Sequence, residues 1–299
     1  MTVPEDPVAA PERQVPGAQV AAAEVSGAQR LAERVRALRD GTAVPATPRD
    51  AATVVLLRDA PGGPEAYLLR RVRAMSFAGG MHVFPGGSVD PADTGAEIAW
   101  AGPAAAQWAG WLSCDEPLAR ALVCAAVRET FEESGVLLAG RDEHSVLADV
   151  STDDWESERA ALEAREQSLS QLLARRGLVL RADLLRPYAH WITPEAEPKR
   201  FDTRFFLAEL PAGQACREAG GEADSRLWVR PADALSDGLV MMPPTRTALA
   251  DLVSAPDVAA ALARERTVRP VLPAFDLDAD GGVVLRVGPD RPSPGGTPR

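Results

Sequence analysis

The chain has 299 residues, 46% apolar and 25% charged, which excludes disorder of the whole and fits a globular protein of one large domain with extensions. No apolar run reaches the ~20 residues of a membrane-spanning helix. The net charge of -11 argues against a general nucleic-acid binder, which would carry a basic footprint. Neither a membrane nor a nucleic acid is therefore expected as a partner.

Residues 1 to about 26, rich in Ala, Pro, Glu and Val, read as a mobile tail. They show no basic n-region and no apolar h-region, so no secretory signal is expected. AQRLAERVRALRDG predicts a short amphipathic helix ending at Gly41, with a linker over residues 45–49. AATVVLL (51–57) and EAYLLRRV (65–72) predict two strands around the turn APGGP. A third is expected over 81–84, closed by Pro85-Gly86-Gly87. The Ala/Gly/Trp-rich stretch 94–116 comes next, with Trp108 and Trp111 at helical spacing as packing anchors of a helical lid.

PLARALVCAAVRETFEESG is a strong helix signal, with Pro117 near its start and Gly135 just past its end. VLL (136–138) is expected to leave it as a strand. A second clear helix is expected over 153–176, as part of the lid or as a contact in a homodimer. HWIT, FDTRFFLAEL and SRLWV read as strands, and ADALSDG, PTRTALADLV and DVAAALARER as helices. A hairpin is expected around Asp280-Gly281-Gly282, before a Pro/Gly-rich tail over 289–299.

The three cysteines, Cys114, Cys124 and Cys216, form no CxxC pair, so neither a zinc site nor a disulfide framework is expected. A reducing, cytoplasmic setting fits them, with Cys124 as a filler of the core. Among the histidines, His144 reads as surface, His190 as structural, and His82 as a neighbour of the glycine loop able to reach a substrate.

The informative segment is Arg128-Glu129-Thr130-Phe131-Glu132-Glu133-Ser134-Gly135-Val136. On a helix Glu129, Glu132 and Glu133 share one face. They sit at the helix C-terminus, where the macrodipole disfavours negative charge. Such a cluster makes sense if hard divalent cations neutralise it, and oxygen ligands suit Mg²⁺ or Mn²⁺. Gly86 and Gly87 allow φ > 0 or close backbone approach. Cations for an anionic ligand are available in two clusters: Arg70, Arg71 and Arg73 after one strand, and Lys199, Arg200 and Arg204 around another. Strand alternation puts Arg71 opposite Arg70, and Arg200, Asp202 and Arg204 opposite Lys199, Phe201 and Thr203. Asp202 between two Arg suggests a fixed charge network.

Together, FPGG and RETFEESGV resemble the signature of the Nudix hydrolases, a Gly-Gly loop leading to a helix that ends in REUxEExGU, where U is aliphatic. Phe131 stands at an aliphatic position, Asp90 and Asp93 replace the loop glutamates, and 34 residues separate Asp93 from Arg128, far more than the family's short spacer. LLRR, FAGGMHVFPGG, HWITP and KRFDTRFF, in that order, are similar to the peroxisomal-type Nudix coenzyme A diphosphatases and their bacterial relatives, which also carry an insertion before the catalytic helix.

The resemblance implies an α+β fold, the Nudix α/β/α sandwich with a mixed sheet, helical insertions and terminal extensions. The Nudix domain would span 46–255, with insertions at about 94–116 and 140–186. Residues 1–45 would form a tail and short helix, and 256–299 a C-terminal helix, hairpin and tail. The implied reaction is metal-dependent hydrolysis of a nucleoside diphosphate-linked substrate, coenzyme A or acyl-coenzyme A first. Glu129, Glu132 and Glu133 would hold the metal and Arg128 would orient them. Gly86, Gly87, Arg70, Arg71, His82, Arg200 and Arg204 are the expected substrate contacts. Glu218, Glu222 and Asp224 are alternatives to a signature glutamate as general base. The alternatives in function are an ADP-ribose, NADH or nucleotide-sugar diphosphatase and a non-catalytic ligand sensor.

Overall fold

The computed structural model describes residues 16–72, 78–94, 98–217 and 223–287, with side chains from residue 27 onward. In chain order the elements are α1 (Pro16–Arg39), β1 (Arg49–Ala60), β2 (Gly63–Arg71), β3 (His82–Val83), β4 (Gly86–Ser88), α2 (Pro91–Thr94), β5 (Trp100–Ala101), α3 (Ala105–Leu112) and α4 (Glu116–Ser134). They continue with β6 (Ala139–Gly140), α5 (Asp153–Glu163), α6 (Leu169–Arg176), β7 (Val179–Arg181), β8 (Leu185–Ile192), β9 (Phe201–Glu209) and β10 (Ala223–Val229). Last come α7 (Pro231–Ser236), α8 (Pro243–Leu252), α9 (Val258–Ala263), β11 (Pro270–Val271), β12 (Ala274–Leu277) and β13 (Val283–Arg286).

By contacts the chain divides into two units. Among the described residues, one gathers those within 16–46, 194–198 and 273–287; the other gathers those within 47–193 and 199–272. In the first, the Ala-rich segment after Pro16 is helical. Its Ala content favours helix and Pro16 suits the first helical position, so α1 starts well before the expected end of a tail. Residues 1–15 and 288–299 lie outside the described residues. In the same unit β12 and β13 pair antiparallel as the expected hairpin, and Arg39 Nη2 meets Asp276 Oδ1 at 2.7 Å.

The second unit is built on a mixed sheet of order β10-β2-β1-β9-β8-β11, with β3 paired to β2 and β4 to β1. Its central pair, β1 and β9, runs parallel, while β2 and β8 flank it antiparallel. Strand alternation splits β1 between two cores. Ala52, Val54 and Leu56 face the core that holds α4, together with Leu122, Val127 and Phe131. Val55 and Leu57 face a second core with Ala248, Leu249 and Val258 from α8 and α9. Helices thus cover both faces of the sheet, the layering of the α+β sandwich that the family resemblance implied.

Three local expectations change. Residues 136–138 are buried without strand pairing, and the short strand is Ala139–Gly140. The helix expected over 153–176 breaks into α5 and α6 at Arg165, which has φ 58°, because Ser168 caps α6 in a capping box with Gln171. The Trp108–Trp111 helix does not act as a lid: Trp108 is fully buried, edge-on to Trp111 and against Phe206 of the sheet. Cys124 is core filler as expected, and burial pushes its thiol up to about 12. All three cysteines are free thiols.

Candidate active site

Helix α4 sets the site. Asp115 caps its N-terminus by accepting from the Leu118 N–H, and Gly135 ends it in the left-handed conformation (φ 74°). The acids of the last two turns line a cleft of about 960 Å³ with Gly86, Gly87, Asp90 and Asp93.

Arg128 organises the acids. Its Nε and Nη2 donate to the Asp93 carboxylate, with the shortest contact at 2.9 Å. Nη2 also donates to the Ser88 carbonyl at 3.0 Å. Its Nη1 donates to Glu129 Oε1 at 2.8 Å and to Glu132 Oε1 at 3.3 Å. Burial alone would lower the pKa of this guanidinium, but Asp93, Glu129 and Glu132 together raise it, so it is a permanent cation. The pair with Asp93, whose side chain is 2% exposed, ties the glycine loop to a helix far away in sequence. Asp93 is thus the loop acid that meets Arg128.

Glycine is needed at 86 and 87 for space. Neither has a positive φ; a Cβ on Gly86 would lie 2.4 Å from the Ala52 carbonyl oxygen, and one on Gly87 would lie 2.4 Å from Glu129 Oε1. The close approach lets the Gly86 N–H donate to Glu133 Oε2 at 2.8 Å.

Burial, and next the charge of Glu129, push the Glu132 carboxyl up to about 7 despite the neighbouring Arg128. Among the described residues no three acids are gathered into a ready metal cage. The donor set still fits a hard divalent cation: it is all carboxylate oxygen, partly buried, and holds more negative charge than Arg128 offsets.

Two features beyond the signature complete the site. Arg159 of α5 is buried, and its Nη1 donates to the Glu132 backbone carbonyl at 2.9 Å, placing a cation at the C-terminal turn of α4. Its sequence signal, Glu156 and Glu163 around it at i,i+3 and i,i+4, looks the same as ordinary solvated helix pairs. The corner between α5 and α6 forms one cleft wall through Glu163, Arg165, Glu166 and Gln171.

The substrate residues expected from sequence divide. Gly86, Gly87 and Arg71 line the cleft, as do Lys199, Phe201 and Thr203. Arg200 and Arg204 do not reach it, because strand alternation turns them to the opposite face. Both are buried: Arg200 Nε donates to the Thr193 carbonyl, and Arg204 pairs with Asp202, which also meets His190 Nε2. The charge network expected around Asp202 therefore exists, away from the cleft. Arg70 also points elsewhere and pairs with Asp224 at 2.6 Å. His82 is held on β3 beside the Val240 carbonyl rather than in the cleft. His144 is exposed and His190 buried, as expected. Arg73, Glu218 and Glu222 lie outside the described residues.

Residues 114–245 match the family model described as the NUDT19 Nudix domain. The chain is 29% identical over 238 residues to the acyl-coenzyme A diphosphatase NUDT19 of Gallus gallus, covering 62% of each chain. It is 30% identical over 124 residues to the protein of the same name from Xenopus laevis, covering 38% of this chain and 33% of that one. The match thus spans less than two thirds of the length of either curated relative. The crystal structure of a Nudix hydrolase from Alicyclobacillus acidocaldarius superposes with a TM-score of 0.62 at 31% identity, covering 74% of this chain and 98% of that one. On this likeness in sequence and fold, the chain belongs to the Nudix hydrolase family.

Proposed function

We propose that the protein hydrolyses the diphosphate of coenzyme A or acyl-coenzyme A, giving 3′,5′-ADP and (acyl-)4′-phosphopantetheine. The observation that carries this reading is the buried Asp93–Arg128 pair, which holds Glu129 and Glu132 on the wall of a cleft large enough for a nucleotide. The likeness to proteins named acyl-coenzyme A diphosphatase supports the choice of substrate. Glu129, Glu132 and Glu133 would hold Mg²⁺ or Mn²⁺, which when bound supplies charge stabilisation to the diphosphate oxygens. Arg128 keeps two of those carboxylates oriented, and the Gly86 N–H fixes the third. The cleft admits water as nucleophile, with a carboxylate of α4 to take its proton. Free cysteines suit a reducing compartment such as the cytoplasm. Among the described residues no helix is long and apolar enough to cross a membrane.

The test is a product screen over coenzyme A, acyl-coenzyme A, ADP-ribose, NADH and nucleotide sugars with Mg²⁺ and Mn²⁺. Mass spectrometry should find 3′,5′-ADP from the coenzyme A species. Efficient turnover of ADP-ribose or a nucleotide sugar, with no cleavage of any coenzyme A species, would replace this reading.

A further inference from the structure

The cleft has two ends of opposite character. Its acidic end is made by α4 and the glycine loop. Its other end lies at the start of β1 and just before β9, where Arg49, Lys199 and Phe201 line the wall. Arg49 and Phe201 are register partners in the parallel pair of β1 and β9, and the Lys199 ammonium stands over the Phe201 ring, 5.4 Å from its centroid. The ring holds the lysine on the cleft wall by a cation–π contact. Elsewhere in the cleft Arg128 is bound to Asp93, and Arg165 faces Asp90 at 3.7 Å. Arg49 and Lys199 are exposed and have no ion-pair partner among the described residues.

Two unneutralised cations beside an aromatic ring, in a protein of net charge -11, are a local exception that calls for an anion. Their position defines which anion. Gly86 pairs with Thr53 of β1, and Arg49 precedes Thr53 by four residues, roughly 13 Å of strand. That separation is too long for one phosphate group to touch both ends and suits a nucleoside that carries phosphate at each end. We propose that Arg49 and Lys199, with Phe201 as their support, form a subsite for a phosphomonoester on the ribose of the substrate nucleoside. The proposal rests on the diphosphatase reading and adds what selects the substrate: a terminal phosphate that ADP-ribose and NADH lack.

Titration calorimetry with 3′,5′-ADP and 5′-AMP tests this without turnover, comparing the wild type with the double variant Arg49→Ala/Lys199→Ala. The wild type should bind 3′,5′-ADP at least about tenfold more tightly than 5′-AMP, the scale of one or two charge-assisted hydrogen bonds. The double variant should lose that preference with its 5′-AMP affinity unchanged, and Arg49→Lys/Lys199→Arg should largely restore it. Equal affinities in the wild type, no measurable binding of either ligand, or a preference that persists in the double variant would each overturn the subsite. Coenzyme A hydrolysis on the same samples separates the two readings. A preference for 3′,5′-ADP without coenzyme A cleavage removes the diphosphatase reading and leaves the subsite; cleavage without the preference does the reverse.

Discussion

Arg128 Nη1 bridges Glu129 and Glu132, and burial with the charge of Glu129 pushes the Glu132 carboxyl up to about 7, above the ordinary carboxylate range. The folded state then holds a proton that the unfolded chain releases near 4.5, so the stabilising contribution is complete below about 4.5 and is lost as pH rises through 7. At most ~3 kcal/mol is involved. Metal-free protein should therefore lose stability between pH 5 and 8 by more than Glu132→Gln does, as urea midpoints at both pH values would show; parallel profiles would mean that Glu132 is ionised throughout. With metal present, Glu132→Gln and Glu133→Gln should each lower turnover at least about a hundredfold, or ~2.7 kcal/mol, while the fold is kept. Wild-type turnover in both variants at saturating metal would remove these acids from the reaction.

The glycine loop and helix α4 meet at two adjacent residues whose crowding differs in kind. A Cβ at position 86 meets backbone, the Ala52 carbonyl, whereas one at position 87 meets the end of the Glu129 side chain. Backbone cannot step aside and a carboxylate can. Gly86→Ala should thus lower the melting temperature markedly, while Gly87→Ala should melt within a few degrees of wild type yet lose most of its kcat by displacing Glu129. Calorimetry and steady-state kinetics on the pair check this, and the reverse pattern would refute it. At this scale α4 was legible because its signals are local: Pro117 at the start, Gly135 at the end, and acids spaced by a turn. The break between α5 and α6 was equally local, in the Ser168–Gln171 box, but the surrounding charged helical pattern masked it. The cleft-facing side of β9 was not legible. Alternation gives two faces, and the richer charge of Arg200, Asp202 and Arg204 belongs to the buried one, where the ions satisfy each other.

For the unit built on the mixed sheet, a divalent cation held by the acids of α4 would link its binding to folding. A divalent cation that binds only the folded form adds about 2.7 kcal/mol at a hundred times its dissociation constant. If Glu132 is a ligand, its proton would compete for the same oxygens, and Mg²⁺ should raise the melting temperature more at pH 8 than at pH 5. Differential scanning fluorimetry should show this contrast in the wild type and a weaker one in Glu132→Gln. No metal-dependent shift at either pH would separate the acids from cation binding. The layering was expected from the resemblance to the Nudix family, carried by FPGG and RETFEESGV, and not from local pattern alone. The pairing of β1 with β9 was not legible, since it joins segments some 150 residues apart that no local pattern connects.

The bond between Asp93 and Arg128 bears on how such a site can change over time. The two residues are separated by 34 others, yet they meet at 2.9 Å with the Asp93 side chain almost wholly buried. What the chemistry demands is that these two ends stay joined; the length of the path between them is almost free, since each doubling of a loop costs only about 0.6 kcal/mol. The stretch between them is therefore an open port in the architecture. Whole helices such as α3 can be admitted there, and a reporter domain could be too, without the carboxylates registering the difference. A search that fixes the spacing of the signature will pass over such chains, whereas one that asks for the clamp will find them.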